Sequence, residues 1–391
     1  MAMLKIQTLN KISPYGLDCF DRKTYTYGDE IENPDAIMVR SASMHEMELP
    51  ASLKAIARAG AGVNNIPIDK CSEAGIVVFN TPGANANAVK ELVILGMLIS
   101  SRKVVPAIEW AKTLKGKGDE VGKLVEKGKS AFIGPEIAGK TLGVIGLGAI
   151  GIQVANAARN LGMTVYGYDP YISVDAAWNL SRSIKHATNL RDIYTQCDYI
   201  TVHVPLNNET RAMINKESIA SMKDGVRILN FARGDLVHDS DLLAALSTGK
   251  VAAYVTDFPS DTVIGAEGVI AIPHLGASTP ESEDNCANMA ANELIQYLEY
   301  GMIKNSVNLP EMDVAPTTAN RICVIHRNVP NMLTQISGLV SEKGINIETM
   351  LNKSKKNYAY TVLDIVADDV PGGLIVAIKA IEGVIRVRVV K

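Results

Sequence analysis

The sequence has few of the features that mark a secreted, zinc-binding or membrane protein. Its five cysteines are scattered, odd in number and without a Cys-x-x-Cys pair, which indicates a reducing compartment and argues against a zinc site. No apolar run approaches the length of a membrane span, and the first residues lack the apolar core of a signal peptide. These absences predict a cytoplasmic protein with no bound metal and no membrane partner.

The chain also has little excess charge, with a formal net charge of −3 over 391 residues. That balance gives no reason to expect a nucleic-acid partner. A hydrophobic share of 47% and a charged share of 21% are typical of a globular protein with a large core. The length is that of two or three domains.

The most informative stretch is residues 140–169, which has the order strand, glycine-rich turn, helix, strand and acid. Residues 141–145 are apolar and β-branched, and after the turn the apolar residues recur at helical spacing. The turn reads Gly-Leu-Gly-Ala-Ile-Gly, and the second strand ends on Asp169. This arrangement predicts a dinucleotide-binding βαβ unit, with a ligand-free turn between two core elements as the alternative.

Each position of this unit has a physical role in the prediction. Gly146 allows the tight turn, Gly148 lets the backbone approach a pyrophosphate, and Gly151 lets the helix pack closely on the strand. The pyrophosphate would lie at the helix N-terminus, where unpaired N–H groups favour an anion. Asp169 would accept hydrogen bonds from the ribose hydroxyls and repel a 2′-phosphate, which favours NAD over NADP.

Alternating strands and helices on both sides of this stretch predict an α/β protein of three domains. Residues 1–95 and 278–305 form a predicted substrate-binding domain with a flavodoxin-like sheet, and residues 96–277 form a Rossmann-type NAD-binding domain inserted into it. Residues 306–319 contain two prolines and little periodicity, which is typical of a linker. Residues 320–391 have the order βαββαβ of a ferredoxin-like module.

Two segments of the predicted Rossmann-type domain carry local predictions. Residues 208–210, Asn-Glu-Thr, are expected to open a helix after the strand at 199–205. Residues 111–136 are rich in lysine and glycine and are expected to be a solvated loop and helix face. The alternative for this second segment is that one of its lysines reaches an anionic substrate across a subunit boundary.

Polar side chains that suit carbonyl chemistry follow strands in the second half of the chain. The planar guanidinium of Arg233 suits bidentate capture of a carboxylate, and His274 could accept a proton from a substrate hydroxyl. Asp261 or Glu267 could hold the second ring nitrogen of His274, whereas Asp257 better suits a cofactor contact. Together these residues predict hydride transfer, with a surface arginine and a structural histidine as the alternatives.

Around these residues the chain resembles the D-isomer-specific 2-hydroxyacid dehydrogenase family. The matching stretches are GAGVNNIPID, FNTPGANANAVKEL, GKTLGVIGLGAIG, HVPLNNET, NFARGDLVHDSDL and IPHLGAST. The C-terminal stretches HRNVPNMLTQI and GINIE are similar to an ACT domain, a small ferredoxin-like regulatory module. The resemblance thus covers nearly the whole chain, and among family members it is to those that carry an ACT domain and oxidise D-3-phosphoglycerate.

The resemblance implies a set of site residues. The implied catalytic residues are Arg233, His274 as acid/base, and Asp261, which stands where the family has a glutamate one residue further along. The implied NAD contacts are Gly146, Gly148, Ala149, Ile150, Gly151, Asp169, His203, Pro205, Phe231, Ala232, Arg233, Asp257, His274, Gly276 and Ala277. The implied substrate contacts are Arg40 to the phosphate, and Gly62, Val63, Asn64 and Arg233 to the carboxylate.

The resemblance also implies NAD-dependent oxidation of D-3-phosphoglycerate to 3-phosphohydroxypyruvate, with feedback by L-serine. His326, Asn328 and Asn346 are the implied serine contacts, and Asn331 stands where the family has a glycine. A homodimer or homotetramer is expected. The alternatives are a glyoxylate/hydroxypyruvate reductase or another D-2-hydroxyacid dehydrogenase, a dinucleotide-sensing regulator without turnover, and an ACT module that serves only as a dimerisation surface.

Overall fold

A computed structural model describes residues 3–317 and 319–390 of the chain. The chain forms two compact units, one made of the residues up to Ala84 and from Pro280 onward, the other of Asn85–Thr279. The division between the units falls after Ala84, whereas the prediction places the domain boundary after residue 95, inside a helix of the second unit. Val89 and Val93 of that helix are buried in the core of the second unit.

The N-terminal segment of the first unit builds a five-stranded parallel sheet. Its elements are β1 (Leu4–Leu9), α1 (Pro14–Leu17), β2 (Tyr25–Gly28), β3 (Ala36–Val39), β4 (Ala55–Arg58), α2 (Ile68–Glu73) and β5 (Val77–Asn80). The strand order is β2-β1-β3-β4-β5, with every pair parallel. This is the predicted flavodoxin-like order. β3 is buried along its whole length, as expected for a strand covered on both faces.

The second unit builds a seven-stranded parallel sheet. Its elements are α3 (Ala86–Arg102), α4 (Val104–Lys112), α5 (Val121–Gly128), β6 (Thr141–Ile145), α6 (Ala149–Asn160), β7 (Thr164–Tyr168), α7 (Val174–Trp178), β8 (Lys185–His186), α8 (Leu190–Gln196), β9 (Tyr199–Val202), α9 (Lys216–Ser221), β10 (Val226–Asn230), α10 (Asp239–Ser247), β11 (Val251–Thr256) and β12 (Val269–Ala271). The strand order is β12-β11-β10-β9-β6-β7-β8. This confirms the predicted Rossmann-type sheet, in which ligands bind beyond the carboxyl ends of the strands, where the strand order reverses between β6 and β9.

The chain returns to the first unit through a long helix, α11 (Pro280–Tyr300). Ala290 and Leu294 of α11 are buried in one core with Ala57 and Phe79 of the parallel sheet. The predicted linker at 306–319 is not a free connection over its first half, because Leu309 is buried in the same core. The buried side chain of Leu309 therefore attaches this proline-containing segment to the core of the first unit.

The last part of the first unit is a four-stranded antiparallel sheet covered by two helices. Its elements are β13 (Asn320–Arg327), α12 (Met332–Glu342), β14 (Asn346–Lys355), β15 (Tyr358–Val366), α13 (Gly372–Lys379) and β16 (Val384–Val390), which we call the C-terminal module. The strand order β14-β15-β13-β16, with all neighbours antiparallel, is the ferredoxin-like arrangement. Arg386 of β16 donates to the carbonyl oxygen of Ala74 at 3.0 Å, which fastens the module to α2.

Neither a membrane span nor a metal cluster occurs in the described part of the chain. None of the helices within residues 3–317 and 319–390 is both long and apolar enough to cross a bilayer. Over the same residues, no three His, Cys, Asp or Glu side chains gather in a way that could hold a metal ion.

Candidate active site

The glycine-rich turn after β6 has the close packing that its sequence predicts. Gly146 has φ +93°, and a Cβ there would lie 2.7 Å from the carbonyl oxygen of His203. A Cβ on Gly151 would lie 1.9 Å from the carbonyl oxygen of Gly146. Both positions therefore require glycine. A Cβ on Gly148 would meet no atom within 4 Å, so this side of the turn is open to a ligand.

The helix that follows the turn presents an uncapped N-terminus. Gly148 is the N-cap of α6 and has no side chain to accept the first backbone N–H groups, which belong to Ala149, Ile150 and Gly151. Gly148 and Ala149 are exposed. Unpaired N–H groups and the helix dipole make such an end an anion-binding position, as a pyrophosphate requires.

Asp169 lies directly after β7 and is held by the backbone around it. Its Oδ2 accepts the N–H of Leu147 at 2.8 Å, and its Oδ1 accepts the N–H of Tyr171 at 2.9 Å. A carboxylate oxygen can accept more than one hydrogen bond, so both oxygens retain capacity for ribose hydroxyls. The carboxylate is thus fixed beside the glycine turn, as the prediction requires.

His203 follows β9 and lies against the same turn. Its Nε2 pairs with the hydroxyl of Thr201 at 2.9 Å, and its buried Nδ1 has no hydrogen-bond partner among the described residues. Burial lowers the pKa of His203 to about 4, so its ring is neutral at physiological pH. Pro205, two residues on, is exposed.

Arg233 is positioned by Asn230, a residue that the sequence did not mark as functional. Asn230 ends β10 and is fully buried. Its amide donates to the carbonyl oxygen of Arg233 at 2.8 Å, and its side-chain oxygen accepts the N–H of Ala232 at 3.2 Å. Phe231 between them is buried, while the guanidinium of Arg233 is exposed. The feature of the sequence that could have identified Asn230 is a polar residue at the end of an apolar strand.

Phe258 brings the two predicted catalytic side chains together. The centre of its ring lies 4.4 Å from that of the His274 ring. The guanidinium carbon of Arg233 lies 5.5 Å from the same Phe258 ring. Contact with one aromatic ring restricts both side chains, and both residues remain exposed. The sequence reasoning missed Phe258, whose signal was an aromatic residue directly after the strand-end Asp257.

Asp257 is the carboxylate of this cluster. It is 2% exposed, its Oδ2 accepts the N–H of Gly276 at 3.3 Å, and its buried Oδ1 has no partner among the described residues. Burial raises the pKa of Asp257, and the charges of His274 and Arg233 act in the opposite direction. The structure therefore brings Arg233, Asp257 and His274 to neighbouring ends of the second unit's sheet, next to the segment 276–277.

The predicted pairing of Asp261 with His274 is not present. Asp261 and Glu267 are both exposed, and within the described residues neither forms a hydrogen bond to His274. The reason lies in the turn that contains Asp261. The Ser260 hydroxyl donates to Asp239 at 2.5 Å, and Val263 is buried, so this turn packs toward α10.

The predicted substrate residues of the first unit lie at the ends of its strands. Arg40 follows β3, and its Nη2 donates to Oε1 of Glu283 at 2.6 Å. The segment 62–64 follows β4, and its preceding residue Ala61 is held through its carbonyl oxygen by the Asn80 amide at 2.6 Å. Asn64 accepts a hydrogen bond at its carbonyl oxygen from His45, at 2.9 Å.

The predicted effector residues do not converge within one chain. His326 is 2% exposed, and its ring is bonded to the Arg327 carbonyl oxygen and the Thr361 hydroxyl, each at 2.8 Å. His326 of β13 pairs with Ala359 near the start of β15. Asn346 of β14 pairs with Val366, at the other end of β15. At the usual rise per residue of a strand, Ala359 and Val366 are about 23 Å apart along β15, and His326 and Asn346 are separated by a similar distance. A single serine molecule therefore cannot contact both residues of one chain.

The loop before α12 gives position 331 a backbone conformation that favours glycine. Asn331 has φ +69°, in the left-handed region that favours glycine and that asparagine tolerates better than most residues. Asn328, nearby, donates from its amide to the carbonyl oxygen of Lys356 at 3.2 Å. The substitution thus keeps the backbone conformation and adds a side chain at the start of α12.

Comparison with known proteins assigns the second unit. Residues 95–276 match the model of the D-isomer specific 2-hydroxyacid dehydrogenase, NAD binding domain, which confirms the predicted NAD-binding domain. A solved 3-phosphoglycerate dehydrogenase of Entamoeba histolytica with bound NAD+ is 26% identical, with a TM-score of 0.61 over 78% of this chain and 99% of that one. A glyoxylate reductase of Paecilomyes thermophila is 25% identical, with a TM-score of 0.63 over the same shares.

Curated relatives extend the match to most of the chain. D-3-phosphoglycerate dehydrogenase of Bacillus subtilis is 36% identical over 293 residues, or 73% of this chain and 53% of the relative, so the chain spans about half its length. D-3-phosphoglycerate dehydrogenase of Escherichia coli K12 is 33% identical over 339 residues, or 84% of this chain and 79% of the relative. The chain therefore belongs to the D-isomer-specific 2-hydroxyacid dehydrogenase family.

Proposed function

We propose that this chain oxidises D-3-phosphoglycerate to 3-phosphohydroxypyruvate with NAD. The observation that carries the proposal is the grouping of Arg233, Asp257 and His274 around Phe258 in an NAD-binding domain. A guanidinium, a buried carboxylate and an imidazole are the groups that a 2-hydroxyacid oxidation requires. The names of the Bacillus subtilis and Escherichia coli relatives support the choice of substrate.

The residues of the second unit fit NAD. The open side of Gly148 and the uncapped α6 N-terminus suit the pyrophosphate, and Asp169 suits the adenosine ribose. The unpartnered Oδ1 of Asp257 is a buried acceptor that the carboxamide N–H of the nicotinamide would satisfy. When bound, NAD supplies the ring that accepts the hydride from C2 of the substrate.

The side chains of the chain then have distinct roles. One ring nitrogen of His274 accepts the proton of the C2 hydroxyl, and Asp257 stabilises the imidazolium that forms. Arg233 binds the carboxylate and polarises the oxygen on C2 as it becomes a carbonyl. The backbone N–H groups of 62–64 bind the carboxylate as well, and Arg40 binds the phosphate.

The substrate can be tested with NADH absorbance in the reductive direction. We expect kcat/KM for 3-phosphohydroxypyruvate to exceed that for unphosphorylated hydroxypyruvate by at least about tenfold, because a charge-assisted contact to phosphate contributes ~1.5–3 kcal/mol. Equal or reversed preference would move the assignment to a glyoxylate/hydroxypyruvate reductase. No NADH turnover at all would favour a dinucleotide-sensing regulator.

L-serine is the effector that we propose for the C-terminal module, and the same assay tests it. Because His326 and Asn346 are far apart in one chain, a serine contacting both would need residues from two copies. Inhibition by serine that disappears in an Asn346→Ala variant would support this effector. Unchanged rates at millimolar serine would leave the module as a structural or dimerisation element.

We further propose that the chain is a homodimer through the segment 95–133 of the second unit. Neither α4 nor α5 buries a single residue within one chain. Helices this short are unstable without a packing partner. Exposed apolar side chains lie along both helices and their flanks: Leu95, Leu98, Val104, Val105, Ile108, Val121, Val125 and Ile133. A second copy of the same face would cover them in a two-fold interface.

The proposed dimer predicts that a single added negative charge in its interface weakens association of the two copies. Ile108 is 51% exposed on α4, and Ile108→Asp should weaken association by at least about 2 kcal/mol, because each of two buried positions would carry an unpaired carboxylate. Sedimentation velocity across a concentration series measures the shift to monomer. Val174→Asp is the matched control, since Val174 is 74% exposed on another helix of the same unit. Equal behaviour of the two variants would contradict this interface.

A further inference from the structure

The cation proposed to bind the substrate phosphate is already paired with a carboxylate of its own chain. Nη2 of Arg40 donates to Oε1 of Glu283 at 2.6 Å, and each side chain is 41% exposed. The pair joins the end of β3 to the first turn of α11 across 243 positions of the sequence. A guanidinium has five N–H donors, so this contact leaves others for a ligand.

Glu283 is held near Arg40 because α11 is fastened at both ends. Next to it, Asp284 accepts a hydrogen bond from the Ser13 hydroxyl. At the other end, Arg321 of the C-terminal module donates to the carbonyl oxygen of Tyr300 at 2.7 Å. These hydrogen bonds hold the helix in place, so a rotation of either side chain is the smallest change that separates the two charges.

We propose that Glu283 is a specificity-determining residue that weakens the binding of phosphorylated substrates at Arg40. This inference rests on the proposed function, which assigns the phosphate to Arg40. A phosphate monoester carries a charge of about −1.5 to −2 at neutral pH, so it competes with Glu283 for the guanidinium and is repelled by the carboxylate. A half-exposed ion pair is weak, which lets the phosphate displace the carboxylate at a cost in affinity.

Unphosphorylated substrates do not meet this competition. They have no phosphate to place at Arg40, so Glu283 should leave their binding unchanged. Removing the charge of Glu283 should thus change the ratio of KM values for phosphorylated and unphosphorylated substrates. A purely structural role for the pair would instead change stability or both KM values together.

The test compares Glu283→Gln with Glu281→Gln in the reductive assay. Glu281 lies in the same first turn of α11, is exposed and forms no ion pair in the described residues, so its variant removes an equal charge from the same helix end. We expect Glu283→Gln to lower KM for 3-phosphohydroxypyruvate about fivefold, with kcat and the KM for hydroxypyruvate unchanged. We expect Glu281→Gln to match the wild-type chain in all three values.

A second measurement separates this inference from the proposed function. Inorganic phosphate is used as a competitive inhibitor against 3-phosphohydroxypyruvate, whose phosphate would occupy the same place at Arg40, and its inhibition constant should fall in Glu283→Gln but not in Glu281→Gln. That result supports the role of Glu283 even if the wild-type chain does not prefer the phosphorylated substrate, which would defeat only the proposed function. Unchanged values in Glu283→Gln, a raised KM for the phosphorylated substrate, or equal shifts in both variants would overturn the inference.

Discussion

Replacing His274 with asparagine is expected to lower kcat for the oxidation of D-3-phosphoglycerate by about 10²- to 10⁴-fold, the usual contribution of a general base. Asparagine retains a hydrogen-bonding side chain but cannot accept and hold the hydroxyl proton. The His274 ring lies 4.4 Å from that of Phe258, and its charge interacts with that of buried Asp257. NADH production at saturating substrate and NAD measures the loss.

The pH dependence distinguishes a lost base from a lost fold. A general base that is already protonated cannot accept the hydroxyl proton, so oxidation by the wild-type chain should slow as the pH falls. The residual rate of His274→Asn should lack this dependence. His186→Asn is the matched control, because His186 is exposed on β8 of the same unit. An unchanged pH profile in the His274 variant would contradict its role as the base.

The carboxylate that supports His274 can be identified in the same assay. Because Asp257 is buried and directly precedes Phe258, whose ring contacts that of His274, whereas Asp261 is exposed, Asp257→Asn should reduce kcat more than Asp261→Asn does. A buried carboxylate opposite a developing imidazolium is effective, since little solvent screens the interaction. The reverse order would restore the pairing that the family resemblance implies for Asp261.

The sheets could be predicted from the sequence because their signals are local. The strands β9, β10 and β11 are short, largely apolar runs that end at or just before a polar residue, and the glycine turn after β6 marks the start of the Rossmann-type unit's first helix. The C-terminal module followed the prediction closely: β13 was expected at 320–326 and is Asn320–Arg327. Its helices pack on one face of the sheet, which gives them clear helical periodicity.

Residues 208–210 show how a local signal can mislead. The Asn207 side chain accepts the N–H groups of Glu209 and Thr210, which is helix-capping chemistry, but no helix follows. Ala212 has φ +49°, and this left-handed residue stops the turn from propagating. The helix α9 begins instead at Lys216. An asparagine side chain accepts the N–H groups of the next residues both in an isolated turn and at a helix start. The sequence alone therefore does not distinguish a turn from a helix start at this position.

The unpredicted parts of the site depend on contacts between distant segments. The Arg40–Glu283 pair joins residues 243 positions apart, and no spacing rule connects them. The position of Asp261 was inferred from the family's pattern, but the shorter turn and the burial of Val263 redirect it. Such contacts are set by tertiary packing, which local periodicity does not encode.

Replacing Arg233 with alanine is expected to lower kcat/KM by about 10²- to 10³-fold, as loss of a charged donor to a developing oxyanion does. Both 3-phosphohydroxypyruvate and hydroxypyruvate carry the carboxylate that Arg233 would bind, so the loss should be similar with each. Arg233→Lys should recover little, because an ammonium cannot reproduce the planar two-point contact. Steady-state kinetics with both substrates measure the effect.

Arg211 provides the control for that experiment. It is an exposed arginine of the same unit that pairs with Asp235, whereas Arg233 lies over Phe258, so Arg211→Ala should retain nearly the wild-type kcat/KM. Equal losses in the two variants would indicate a general effect of charge on the unit. A loss of only a few-fold in Arg233→Ala would contradict the role of this guanidinium. Because Asn230 fixes the backbone at 232–233 through its own side chain, the alanine variant should keep the turn intact and isolate the chemical contribution.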